Sequence, residues 1–172
     1  KLGETEQKWQ NYYLDMSSQL DTSRKKAAIN LDQAVLAELP PLKLDGARFT
    51  TAITPLHDDE SIDWDGFDKV LEFLIETGVD GIIIGGTTGE YYAHSTEERE
   101  TALKRATDVV AGRVPLIGGT GAIRTEDSIA LAMIAKASGY DAILITTPPY
   151  AQPTPRENAI HALRIDRAVD MP

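Results

Sequence analysis

The stretch Val79-Asp80-Gly81-Ile82-Ile83-Ile84-Gly85-Gly86-Thr87-Thr88-Gly89-Glu90 decides the fold. Its β-branched run lacks polar alternation, which predicts a strand over 79–86 buried on both faces. The run then opens into two glycines, two hydroxyls, a third glycine and a carboxylate. Parallel α/β proteins present ligand sites in such loops, at the carboxyl ends of their strands. Gly85, Gly86 and Gly89 allow close backbone approach, and Thr87 and Thr88 offer hydroxyls and amides suited to a small carboxylate. No Gly-Lys-Ser/Thr follows and the G-x-G-x-x-G spacing is missing, so the loop is not a nucleotide cradle. The competing reading is a tight turn with no ligand.

Working outward, the 172 residues suffice for one domain with an appendage. A formal charge of −10 argues against nucleic acid as a partner, because phosphate binding needs a basic surface. No apolar run reaches 18 residues, which predicts no membrane span, and Lys1-Leu2-Gly3-Glu4 lacks the features of a signal peptide. The absence of cysteine excludes disulfides, thiolate metal sites and a cysteine nucleophile, and fits a cytoplasmic location.

Residues 1–44 differ in character from the rest and predict a helical N-terminal extension. Trp9, Tyr12, Tyr13, Met16 and Leu20 fall at helical spacing, giving an amphipathic helix over 5–20. Asp21-Thr22-Ser23 predicts an interruption, and a second, short helix ends at Pro40-Pro41. Such an arm docks on its own domain or on a partner.

From Arg48 onward the pattern is regular. Strands are predicted at 49–55, 79–86, 114–119 and 141–146. Helices are predicted from Asp63 to Glu76, from the capping box Ser95-Thr96-Glu97-Glu98 to Ala111, from Thr125 as a cap to an end at Gly139, and from Thr154-Pro155-Arg156-Glu157 onward. Gly78-Val79-Asp80-Gly81-Ile82-Ile83-Ile84 is echoed 61 residues later by Gly139-Tyr140-Asp141-Ala142-Ile143-Leu144-Ile145. Repeated βα units give a doubly wound sheet or a (β/α)8 TIM barrel. Functional-looking loops after every strand favour the barrel, of which 45–172 is predicted to carry the first four βα units. Ile53, Ile82, Ile84, Ile117 or its neighbours, and Ile143 or Ile145 are predicted to point into it.

Residues 48–172 resemble the dihydrodipicolinate synthase and N-acetylneuraminate lyase family of pyruvate-handling barrels. The resemblance rests on Thr54-Pro55, Gly86-Thr87-Thr88-Gly89-Glu90, Gly119-Thr120-Gly121 and Thr147-Pro148-Pro149-Tyr150, each at the end of a predicted strand and in the family's order. The Thr-Thr pair looks more like the synthase branch. The resemblance implies a lyase or aldolase that binds pyruvate as a lysine Schiff base and joins it to an aldehyde, in lysine biosynthesis. The alternatives are a 2-keto-3-deoxy sugar acid aldolase or dehydratase, a sialate-lyase-like enzyme, or a non-catalytic assembly fragment. It further implies that Thr87, Thr88 and Gly86 hold the pyruvate carboxylate. Thr87 and Tyr150 would form a proton relay, Tyr150 being lent to the neighbouring subunit of a homodimer or homotetramer. No cofactor is implied. Pro149 and Ile123 depart from the family's usual residues and bear on the second substrate.

The family's lysine, with its accompanying tyrosine and arginine, belongs to strands five and six. The eight lysines here lie before the barrel or within predicted helices, so the covalent chemistry is expected elsewhere and this chain alone is expected to be inactive. No histidine spacing suggests a metal site. His94 reads as a substrate contact or, more simply, a capping histidine. Glu90 reads as a general base or as an acceptor that stiffens the loop, and Arg124 as a steering cation or a solvated charge.

Overall fold

A computed structural model describes residues 2–42, 48–148 and 151–172. The chain divides into two compact units, Lys1–Thr51 and Ala52–Pro172.

The first unit is built on α1, Leu2–Glu38, followed by a short 3-10 turn at Pro40–Leu42. The predicted break at 21–23 does not occur. Thr22 turns its hydroxyl back onto the Ser18 carbonyl at 2.9 Å, and Asp21 pairs with Lys25 at 2.7 Å one turn on. Both residues thus spend their polar atoms inside the helix rather than capping a new one. Pro40-Pro41 ends it, as their missing amides require.

In the second unit, α2 spans Trp64–Glu76, β1 Ile82–Ile84, α3 Thr96–Val110, β2 Leu116–Gly119, α4 Thr125–Ala137, β3 Ala142–Leu144 and α5 Pro155–Val169. The strands form a parallel sheet in the order β1-β2-β3, with Ile83 opposite Ile117 and Gly118 opposite Ile143. Asp63, Ser95 and Thr154 cap α2, α3 and α5, the last two through complete capping boxes. Gly78 and Gly139, the matching glycines of the sequence echo, both take positive φ. Each donates to a carbonyl of the preceding helix's last turn.

Three expectations are corrected. Residues 49–54 form no strand; Pro55 supplies only an acceptor there, its carbonyl bonded by the Asp63 amide at 3.0 Å. Thr125 does not cap α4: Arg124 occupies that position, and the Thr125 hydroxyl lies 3.0 Å from Nδ1 of His161 instead. β1 is buried on one face only. Ile82 and Ile84 pack with Phe67, Leu71, Leu103, Ala106 and Leu131 beneath the helices, whereas Ile83 is 47% exposed.

Of the predicted inward set, Ile82, Ile84 and Ile143 therefore face the helices instead, whereas Ile117 lies on the opposite side. By register Ile83, Ile117, Ala142 and Leu144 share the face away from the helices, while Ile143 packs with Ile82 and Ile84. Three consecutive isoleucines carry no alternation, so their sequence could not say which pointed where. Beyond α5 the Pro172 carbonyl accepts from the Ile143 amide at 2.9 Å, so the chain returns alongside β3.

Candidate functional site

Because all three strands run parallel, the segments following them gather at one edge of the sheet. The first holds Gly85 to Glu90. Gly85 takes φ +74°, the left-handed region open to glycine, and sends the chain sharply out of β1. Glu90 also has positive φ, and its amide closes a turn onto the Thr87 carbonyl at 3.1 Å. From across the fold, Thr54 donates its hydroxyl to the Gly89 carbonyl at 2.9 Å. The loop is thus fixed at both ends.

Thr87 and Thr88 stand at its exposed tip, and their hydroxyls have no partner among the described residues. Gly86 beside them is half-buried. Two hydroxyls without a partner among the described residues thus stand on a constrained loop at the carboxyl edge of a parallel sheet. Tyr150, the other predicted catalytic residue, and Pro149 lie outside the described residues.

The segment after β2 packs directly on this loop. A Cβ on Gly119 would lie 2.2 Å from the Gly85 carbonyl oxygen, so only glycine permits the approach. Thr120 is fully buried and its amide donates to the Leu144 carbonyl at 3.1 Å, which prolongs the pairing toward β3. Gly121 lies beside Thr146, whose buried hydroxyl has no partner among the described residues.

Arg99 and Tyr91 were not singled out from the sequence. Arg99 donates to the Gly119 carbonyl at 3.2 Å, and its guanidinium sits 4.8 Å from the centroid of the buried Tyr91 ring. Burial depresses its pKa, with the Tyr91 oxygen pulling the other way. The pair ties the loop after β1 to the end of β2. Nothing in the spacing of α3 distinguishes Arg99 from a solvated helical arginine.

The other candidates fall away from the loop tip. Arg124 is exposed and lies 3.8 Å from Asp127 of its own helix. Glu90 is buried at the loop's base, and His94 is half-buried with its pKa lowered by desolvation. His161 is buried between α4 and α5. No group of three metal-ligating side chains exists among the described residues, and no helix there is long and apolar enough to cross a membrane. The described lysines, 8, 25, 26, 69, 104 and 136, are all on helices. Lys136 is spent on the carbonyls of Val169 and Asp170 that close α5.

The family model of the dihydrodipicolinate synthetase family matches residues 46–172. The chain belongs to that family. The 4-hydroxy-tetrahydrodipicolinate synthase of Cellvibrio japonicus is 39% identical over 120 residues, covering 70% of this chain and 41% of that protein. That of Methanocaldococcus jannaschii is 39% identical over 124 residues, covering 72% and 43%. Among solved structures, chloride-inhibited dihydrodipicolinate synthase from Acinetobacter baumannii, complexed with pyruvate, is 38% identical with a TM-score of 0.68. That alignment covers 71% of this chain and 42% of the other. The E. coli K12 prophage protein YagE, also complexed with pyruvate, is 29% identical with a TM-score of 0.67, over 71% and 41%. The chain thus spans about 41% of the length of the curated relatives it matches. The dihydrodipicolinate synthetase family is one of TIM barrels, and the three-stranded parallel sheet with its helices is consistent with part of such a barrel.

Proposed function

We propose that residues 45–172 supply the first four βα units of a (β/α)8 barrel and that residues 1–44 are an extension outside it. The family match beginning at residue 46 supports the boundary, and the return of Pro172 beside β3 supports the count. The complete enzyme is a 4-hydroxy-tetrahydrodipicolinate synthase of lysine biosynthesis, acting in the cytoplasm as a homodimer or homotetramer.

The observation that carries this reading is the pair of open hydroxyls on Thr87 and Thr88 at the carboxyl edge of the sheet. Its relatives at about 39% identity are synthases, and two structural neighbours hold pyruvate. Thr87, Thr88 and the Gly86 backbone would bind the pyruvate carboxylate. Charge-assisted hydrogen bonds of that kind contribute about 1.5–3 kcal/mol each. They would hold the keto carbon for a lysine from the remaining half, whose neutral amine adds to it and expels water to form the Schiff base. The resulting enamine attacks the aldehyde, with Thr87 and the partner-lent Tyr150 moving the proton. No cofactor is required, since the lysine itself supplies the electron sink.

Borohydride trapping on the complete protein tests the proposal. Pyruvate with borohydride should fix a reduced adduct on one lysine at the mouth of the barrel. Labelling of any of the eight lysines here, or no labelling, would overturn it. Activity with a 2-keto-3-deoxy sugar acid in place of the synthase aldehyde would select the other branch.

A further inference from the structure

Helix α1 carries a stripe of apolar side chains along its length. Trp9, Met16, Leu20, Ala27, Leu31 and Ala34 follow at steps of seven, four, seven, four and three residues, so all lie on one side of the helix. All six are exposed, Trp9 by 65% and Leu20 by 50%. From Trp9 to Ala34 the stripe is about 38 Å long, taking 25 steps of about 1.5 Å. An exposed apolar face of that length marks an interaction surface.

Its composition changes along the helix: large side chains in the N-terminal half, alanines in the C-terminal half. We propose that α1 pairs antiparallel with α1 of a second copy of this chain, about a two-fold axis near Leu20. Leu20 then meets its own copy, Trp9 fits against Leu31 and Ala34, and Met16 against Ser23 and Ala27. Met16 thus meets the small Ser23 and Ala27, and Trp9 has room beside Ala34.

Charge agrees. Asp15 and Lys26 lie on the same flank of the stripe, and Lys26 has no acidic partner among the described residues. The same antiparallel register brings Asp15 of each copy to Lys26 of the other, in two equivalent pairs. Flanking charges of this kind set the orientation of paired helices. A parallel pairing would stack Trp9 on Trp9 and set alanine against alanine, leaving voids.

The chain has no cysteine, so single introduced thiols report directly. Trp9→Cys and Ala34→Cys versions of the full chain, mixed and oxidised, should give mainly the mixed 9–34 disulfide on peptide mapping. Predominant 9–9 and 34–34 bridges, or no bridges, would overturn the proposal. Sedimentation provides a second readout that keeps Trp9 intact. Leu20→Asp should weaken dimerisation by about 100-fold or more, since two buried leucines are lost at about 1.5–3 kcal/mol each. Asp15→Lys should weaken it and Asp15→Lys with Lys26→Asp restore it, helicity being unchanged throughout. Association indifferent to Leu20→Asp, or a charge swap that fails to restore it, would mean that another surface is responsible.

Discussion

Gly85 and Gly119 meet backbone to backbone at the carboxyl edge of the sheet: a Cβ on Gly119 would stand 2.2 Å from the Gly85 oxygen and 2.9 Å from that of Ile84. Both obstacles are main chain, so no side chain can rotate aside. Gly119→Ala should therefore push β1 and β2 apart, at a cost of roughly 1–3 kcal/mol or more. A lowered denaturant midpoint checks it. Gly112→Ala is the control, because nothing lies within 4 Å of that Cβ position and only its positive φ is strained, at about 1 kcal/mol.

Acid should weaken the fold in two stages. Burial holds His94 below the ordinary histidine value, against the opposing pull of Glu98 and Glu90. The unfolded chain binds that proton more readily, so stability falls as pH drops through about 6.5 toward the folded value. His94→Gln should flatten this limb of a stability–pH profile. Lower down, Arg113 holds Glu72 below the ordinary carboxylate range, and a bond from its own backbone amide, with Arg164 beside it, does so for Glu126. Those contributions are present above that range and disappear as pH falls through the depressed values, and Glu72→Gln should remove part of the second limb.

The elements legible in the sequence were those with local causes. Asp63, Ser95 and Thr154 announce helix starts through their own side chains, and Gly78 and Gly139 announce helix ends through a backbone only glycine takes easily. What failed depended on distant partners. Residues 49–54 look like a strand by composition, yet Thr54 uses its hydroxyl on Gly89, 35 residues away. At Thr125 the hydroxyl goes to His161 rather than to the start of its own helix. Of the site, the Gly86-Thr87-Thr88 tip was readable as a motif. The Arg99–Tyr91 contact behind it was not, since it exists only once α3 lies against β2.

Thr87→Val keeps the shape of the side chain and removes the donor. In the complete enzyme it should raise the KM for pyruvate and lower kcat, with a loss of about 1.5–3 kcal/mol in transition-state stabilisation. Unchanged steady-state constants would remove Thr87 from the site. Thr88→Val, without a place in the relay, should act mainly on KM.

Tyr150→Phe deletes one hydroxyl from a residue proposed to serve the neighbouring subunit. It should reduce kcat without moving the melting temperature. Mixed with Thr87→Val under conditions of subunit exchange, it should recover part of the lost activity, because some hybrid sites contain neither defect. Hybrids of verified composition that show no recovery would mean that each subunit completes its own site.

The sheet face away from the helices gives the last expectation. Ile83 is 47% and Leu144 39% exposed, and both lie by register on the side that also carries Ile117. In the proposed barrel these side chains fill the interior against the remaining strands. In residues 1–172 alone they offer an apolar patch, and β1 offers a sheet edge with no strand beside it among the described residues. Full burial of each such side chain contributes about 1.5–3 kcal/mol, much of which this chain forgoes. It should therefore bind a dye specific for exposed apolar surface, and Ile83→Ser with Leu144→Ser should reduce that binding while leaving the helical signal intact. Ile82→Ser should instead unfold it, because Ile82 packs beneath α2 and α3. Equal effects from the two faces would refute the assignment of Ile83 and Leu144 to the barrel interior.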